Sequence, residues 1–205
     1  MLRARHQFSE SFEMNDIAAQ KQAMRKAAMG TRKAAHNSGA SAGEAAMAHL
    51  LDWLKTVSKV RYISGYMPIH SEIDILPAMH ALFERGYKIS VPVIIAKATP
   101  LKFREWTPDV AMVDGPFGAK IPESGAWHHP DLLLCPMLAF DSTGQRMGYG
   151  GGFYDRSIAE LKAENPVQAL GFAYSAQQVE AVPHEATDQP LDGVVTEAGV
   201  MLSGQ

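Results

Sequence analysis

Cysteine is nearly missing from this chain: Cys135 is the one such residue in 205. That excludes an intramolecular disulfide and a multi-cysteine zinc site. Cys135 closes the apolar run Leu132-Leu133-Leu134-Cys135, so it reads as a buried structural thiol rather than a nucleophile. No apolar run approaches the roughly 18 residues that a membrane span needs. Neither charge sign dominates. The formal net charge is -3, so any anion must be held by a local group of cations. The opening MLRARHQFSESFEMND is polar and lacks the apolar segment of a secretory signal, so a cytoplasmic location is expected. The Walker pattern GxxxxGK[ST] is missing, and GxGxxG is not cleanly present. His128-His129 has no third ligand spaced to complete a zinc site.

What the chain does have is an ordinary globular balance, 46% apolar and 20% charged, in a length that fits one large domain. Residues 1–14 show no periodicity and are expected to be an unstructured lead-in, with a single α/β domain over 15–205. A helix is expected from Asp16 to about His36, and a second from about Ser41 to Thr56 with Ala46, Leu50, Trp53 and Leu54 on one face. Val60–Tyr66 reads as a strand. Ile73–Arg85 reads as a helix, with Ile75, Met79, Leu82 and Phe83 inward. Lys88–Ile95 and Leu101–Trp106 read as strands. Residues 107–130, rich in proline and glycine, read as one long loop. Leu132–Pro136 reads as a strand buried on both faces. A helix is expected at Phe153–Ala163, a strand at Val167–Phe172 and a last one around Val194-Val195. This alternation predicts a mostly parallel sheet covered by helices.

The most informative stretch is Gly144-Gln145-Arg146-Met147-Gly148-Tyr149-Gly150-Gly151-Gly152-Phe153-Tyr154-Asp155-Arg156. It follows a buried strand and precedes a helix, the place where open α/β sheets hold ligands. Bare backbone there turns successive amides toward an anion, the helix adds its positive end, and Arg146 adds a full charge. The plain alternative is a flexible glycine turn. On the first helix, Lys21, Arg25 and Arg32 fall within roughly 40° of one another, beside an apolar stripe of Ile17, Met24, Ala28 and Ala35. That pattern fits a solvated edge whose stems cover the core, or a stripe for a polyanion. Glu72 follows a strand end and is either a first-turn acid or a ligand-binding carboxylate. Asp74 reads as a helix cap and Asp188 as a turn former.

Taken together, these residues resemble the 5-formyltetrahydrofolate cyclo-ligase family, also called 5,10-methenyltetrahydrofolate synthetases. The likeness runs from about Ile17 to Glu197. Its most specific part is Leu138-Ala139-Phe140-Asp141 leading into the glycine stretch. Lys21 and Arg25, Ser71-Glu72-Ile73-Asp74, Phe103-Arg104-Glu105-Trp106, Gly115-Pro116-Phe117-Gly118, and Asp188 with Pro190 support it.

The resemblance implies a three-layer α/β/α fold, shared with certain sugar-phosphate isomerases and coenzyme A transferases. It implies that 5-formyltetrahydrofolate and MgATP become 5,10-methenyltetrahydrofolate, ADP and phosphate by way of an imidate phosphate. It assigns ATP contacts to Lys21, Arg25, Arg146, Gly148, Tyr149, Gly150, Gly151, Gly152, Phe153 and Tyr154. Arg146 and Tyr154 become the catalytic residues, and Asp155 and Asp188 the magnesium ligands. Met67, Glu72, Trp106 and Tyr149 become folate contacts. Phe153 stands where the family often has tyrosine, so no hydroxyl is needed at 153. Glu123 lies in a segment that matches only loosely and receives no role. A monomer without nucleic-acid or membrane partners is expected. Two alternatives remain at this point: another nucleotide- or phosphosugar-using α/β enzyme, and a non-enzymatic nucleotide- or RNA-binding module. RNA binding by the helical stripe would weaken steeply with salt.

Overall fold

The structure, a computed structural model, describes residues 16–204 in full. The expected unstructured lead-in at 1–14 lies outside the described residues. In chain order the elements are α1 (Leu2–Ser38), α2 (Ala42–Leu54), β1 (Tyr62–Ser64), α3 (Leu76–Glu84), β2 (Lys88–Val93), β3 (Lys102–Trp106), β4 (Met112–Asp114), β5 (Lys120–Pro122), β6 (Trp127–His128), β7 (Leu132–Cys135), β8 (Ala139–Phe140), β9 (Arg146–Met147), α4 (Phe153–Glu164), β10 (Gln168–Phe172), β11 (Gly193–Thr196) and β12 (Gly199–Leu202).

The main sheet has eight strands in the order β12-β11-β10-β7-β1-β2-β3-β6. The five from β11 to β2 are parallel, and β12, β3 and β6 add antiparallel edges. Period-two alternation in β7 shows how the layers form. Leu132 and Leu134 join the core under α2 and α3, while Leu133 and Cys135 join the core under α4. All four are fully buried, each worth roughly 1.5–3 kcal/mol of apolar burial for the leucines. Ala46, Leu50 and Leu54, one turn apart, supply the inward stripe of α2. The result is the expected three-layer α/β/α arrangement with a mostly parallel sheet.

Several sequence expectations need correction. Phe83 is 38% exposed, because the inward face of α3 is carried by Ala78, Met79 and Leu82. The long loop of 107–130 contains the β4–β5 hairpin and the edge strand β6. Asp74 stands one residue before the N-cap, which is Ile75, and its Oδ1 accepts the first helical amide, that of Leu76, at 2.9 Å.

Spatial order places the site. The chain leaves β1 toward β2 on one side, then returns to β7 on the other. The carboxyl ends of β1 and β7 therefore diverge at a topological switch point, where a crevice opens. Gly65–Met67 and Pro136–Leu138 continue from those two strand ends.

Candidate active site

A hairpin presents the glycine loop. β8 and β9 pair with Phe140 opposite Arg146. Asp141, only 3% exposed, holds its far end: the carboxylate accepts the Thr143 amide at 2.9 Å, the Thr143 hydroxyl at 2.6 Å and the Val182 amide at 2.8 Å. Met147 packs with Leu138 and Ala28 beneath α1. Strand alternation then turns Arg146 to the opposite side. The bare stretch that follows includes Gly150 at φ 92° and Gly152 at φ 63°, left-handed conformations that favour glycine. Gly152 is the N-cap of α4 and no side chain caps that end, so the helix presents its first amides at the loop.

Three cations line the same cavity as this loop. Arg146, its side chain 5% exposed, donates to Asp155 Oδ1 at 2.8 Å and to the Gln189 carbonyl. Arg25 reaches from α1 to the Gly148 carbonyl at 3.1 Å. Lys21 Nζ lies 2.6 Å from both Glu185 Oε2 and Asp188 Oδ2. Burial pulls the Lys21 ammonium down, but its bonds to Asp188 and Glu185 outweigh that, and its pKa is raised. Burial likewise pushes Asp188 up, yet the Lys21 bond and the Glu185 amide hold it below the ordinary carboxylate value. Lys21 and Arg32 are buried rather than solvated, which removes the surface-edge reading of the stripe.

On the other side of the crevice, Glu72 is 5% exposed. Its Oε2 accepts the Ile69 amide at 3.0 Å, and its Oε1 lies 3.6 Å from Arg32. Burial raises its pKa from 4.5 to about 7, against the pull of the Ile69 amide and of Arg32. Tyr154 is deeply placed, and its hydroxyl has no hydrogen-bond partner among the described residues. Burial pushes that phenol well above its ordinary value, so it remains a neutral donor.

One continuous cavity of about 820 Å³ joins both sides. It takes in Lys21, Arg25, Arg146 and the whole loop from Gly148 to Asp155, with Asp188, and equally Met67 and Glu72. Trp106 is the exception. It is 4% exposed, belongs to the core under α2 and α3, and packs edge-on to His80 with ring centroids 5.1 Å apart. It pairs with Ile89 across β3 and β2, which points it into the core rather than the cavity.

Sequence reading placed Arg32 only in the basic stripe, with no partner of its own, and gave no role to Glu185 or Phe117. Phe117 lies in the turn of the β4–β5 hairpin at φ 58°, is 72% exposed, and faces Phe153 at 6.4 Å between ring centroids. A bulky residue held at positive φ in a solvent-facing turn is the signal that would have found it, and it shows only in three dimensions.

A cation-and-amide cradle merging with an acid-bearing pocket, at the switch point of a three-layer sheet, is the kind of place where α/β enzymes hold an anionic ligand against a second substrate. Comparison with known proteins narrows this. A model of the 5-formyltetrahydrofolate cyclo-ligase family matches residues 17–197. The 5-formyltetrahydrofolate cyclo-ligase of Escherichia coli (strain K12) is 31% identical over 144 residues, covering 67% of this chain and 79% of its own. That of Haemophilus influenzae is 31% identical over 139 residues, covering 65% and 74%. The solution structure of Aquifex aeolicus 5,10-methenyltetrahydrofolate synthetase superposes with a TM-score of 0.75 at 26% identity, over 91% of this chain and 94% of that one. The Mycoplasma pneumoniae 5,10-methenyltetrahydrofolate synthetase, at 21% identity and a TM-score of 0.69 over 87% and 99%, shows the same fold.

The chain belongs to the 5-formyltetrahydrofolate cyclo-ligase family. It is a ligase that converts 5-formyltetrahydrofolate to 5,10-methenyltetrahydrofolate, with ATP as the family's co-substrate.

Proposed function

We propose that the cradle of Lys21, Arg25, Arg146 and residues 148–154 holds MgATP, and that the pocket of Met67, Glu72 and Tyr149 holds the folate. The observation that carries this is the continuity of the two in one cavity. A ternary reaction needs its two substrates in one water-excluding space.

A formyl oxygen is a poor leaving group. Its attack on the γ-phosphorus breaks the bond to the β-phosphate oxygen, releases ADP and gives an imidate phosphate. N10 then attacks the imidate carbon, phosphate departs with the carbon–oxygen electron pair, and the N10 proton passes to solvent. Little covalent work falls on the protein, so positioning and charge dominate. Arg146 stabilises charge gathering on the transferred group. Tyr154, neutral and without a hydrogen-bond partner among the described residues, donates to the oxygen that accepts the phosphoryl group. Glu72 accepts two parallel N–H donors from the pterin edge, a strong charged arrangement.

Magnesium enters with ATP. Among the described residues no group of three or more His, Cys, Asp or Glu could hold a metal ion, so the phosphates must supply ligands. Asp155 uses Oδ1 for Arg146 and the Gln189 amide, and Asp188 uses Oδ2 for Lys21 and the Glu185 amide. The second oxygen of each carboxylate has no hydrogen-bond partner among the described residues, and such oxygens suit a hard cation. Asp155 and Asp188 would hold the ion there, where it would neutralise phosphate charge.

The reading extends to a cytoplasmic monomer that uses neither RNA nor lipid. The inward-turned Lys21 and Arg32 support a small-ligand role for the α1 stripe. No helix among the described residues is long and apolar enough to cross a membrane. The direct test mixes the folded protein with MgATP and 5-formyltetrahydrofolate and follows methenylfolate absorbance. A rise that requires both substrates is expected; a flat trace from folded protein refutes the assignment.

A further inference from the structure

Arg32 stands outside the machinery described so far, yet its guanidinium is among the most enclosed charges in the protein, with 3% of the side chain exposed. Nε donates to Ser71 Oγ at 3.2 Å, and Nη1 to the Met137 carbonyl at 3.1 Å. Nη2 donates to the Tyr149 hydroxyl, and Cζ lies 5.3 Å from the centroid of that ring. Nη1 also lies 3.6 Å from Glu72 Oε1. One side chain from α1 therefore touches the folate acid, its neighbouring serine, the chain just beyond β7 and the nucleotide loop.

From this geometry we propose that Arg32 is a positioning residue that couples the two substrate subsites, so that nucleotide on the glycine loop prepares Glu72 for the folate. The proposal rests on the assignment of those subsites under Proposed function.

A purely structural arginine would be satisfied by carbonyls and a serine. This one also reaches two side chains that line the cavity, Glu72 beyond β1 and Tyr149 on the glycine loop. Tyr149 is 44% exposed and flanked by Gly148 and Gly150, so little else fixes its ring. The bond to Arg32 does so, and His70 faces the ring at 6.4 Å between centroids. Ordering of the loop by nucleotide fixes Tyr149, and through it Arg32. Arg32 in turn sets the charge and the lean of Glu72. The other titratable groups around Glu72 are the phenols of Tyr66, Tyr149 and Tyr154, together with His70 on its own loop. Burial raises all three phenols, which therefore stay uncharged at neutral pH. Among the described residues, Arg32 is the charged group that draws Glu72 back toward its carboxylate form.

The experiment titrates 5-formyltetrahydrofolate into the protein from pH 6 to 9, with and without a nonhydrolysable MgATP analogue. It compares wild type, Arg32→Met, Arg32→Lys and Tyr149→Phe. A protonated Glu72 cannot accept two pterin donors, so affinity falls below a midpoint. Arg32→Met moves that midpoint up by about one unit or more, and Arg32→Lys keeps it near wild type. The analogue tightens folate binding about fivefold or more in wild type and loses that effect in all three variants. An unmoved midpoint in Arg32→Met, or coupling that survives in Arg32→Lys and Tyr149→Phe, overturns the proposal. Should Arg32→Met not fold, the other two variants still decide the coupling. A wild type that binds no folate rejects the subsite assignment instead, a separable outcome.

Discussion

Arg146 is fastened from two sides, by Asp155 and by the Gln189 carbonyl. Deleting it therefore leaves the half-buried Asp155 carboxylate with the Gln189 amide but no cation, as well as removing the proposed phosphate contact, and Arg146→Ala confounds stability with catalysis. Arg146→Lys is cleaner, because it keeps the charge and loses the fork. The loss of a charge-assisted bond that strengthens in the transition state predicts a 10- to 100-fold fall in kcat/KM for ATP, roughly 1.5–3 kcal/mol, with the binary affinity for folate unchanged. Steady-state kinetics beside a folate titration check this. Glu72 carries a stability signature of its own. Its folded pKa is raised from 4.5 to about 7, so the folded state binds more protons than the unfolded one across that window. Stability is fullest below the lower value and falls as pH rises through the upper one. Glu72→Gln should flatten that fall while weakening folate binding, and denaturant midpoints from pH 4 to 8 measure it. An identical pH slope in the variant would mean that Glu72 does not titrate as assigned. At this scale the sequence was a fair guide wherever chemistry is local. Arg146, Tyr154 and Asp155 announce themselves by crowding beside glycines. Trp106 misled because a tryptophan ending a strand looks the same whichever face it takes, and the register with Ile89 decides.

Among the elements, the long periodic ones were legible and the short ones were not. β7 reads off its four consecutive apolar residues, and α2 off its one-turn spacing. β8, β9 and β6 have two residues each, too few to show any alternation. They exist because tertiary partners hold them: Asp141 ties the β8–β9 turn to Val182, and β6 borrows its register from β3. The glycine loop is an element of a different kind, set by conformational freedom rather than periodicity. Gly150 sits at φ 92°, and a β-carbon there would come within 3.2 Å of the Arg25 guanidinium carbon. Gly150→Ala should therefore strain the loop by about 1–2 kcal/mol and push Arg25 off the Gly148 carbonyl. The expected readout is an ATP affinity weakened roughly tenfold, with a melting temperature lowered by a few degrees. Calorimetric titration of the analogue tests it, and unaltered affinity would show that the loop tolerates a side chain where a triphosphate was thought to lie.

Across the whole molecule, the site is closed by parts of the chain that no local pattern connects. Lys21 meets Glu185 and Asp188 across separations of 164 and 167 residues. Arg32 meets Met137 and Tyr149 across 105 and 117. Nothing in the spacing of α1 residues says which partners they find, which is why the stripe looked like a solvated edge until the sheet order brought both ends to one crevice. This arrangement makes nucleotide binding a global event. A MgATP analogue at 100 times its Kd should stabilise the fold by about 2.7 kcal/mol, which for a chain of this size is a melting shift of roughly 5–10 °C. Hydrogen exchange should then slow in three separated segments together: α1 around Lys21 and Arg25, the loop at 148–156, and the turn at 185–189. The α1 amides carry the decision, because their protection requires the cations there to engage the ligand. Slowing confined to 148–156 would leave Lys21 as a structural tie to Asp188 and move the triphosphate away from α1.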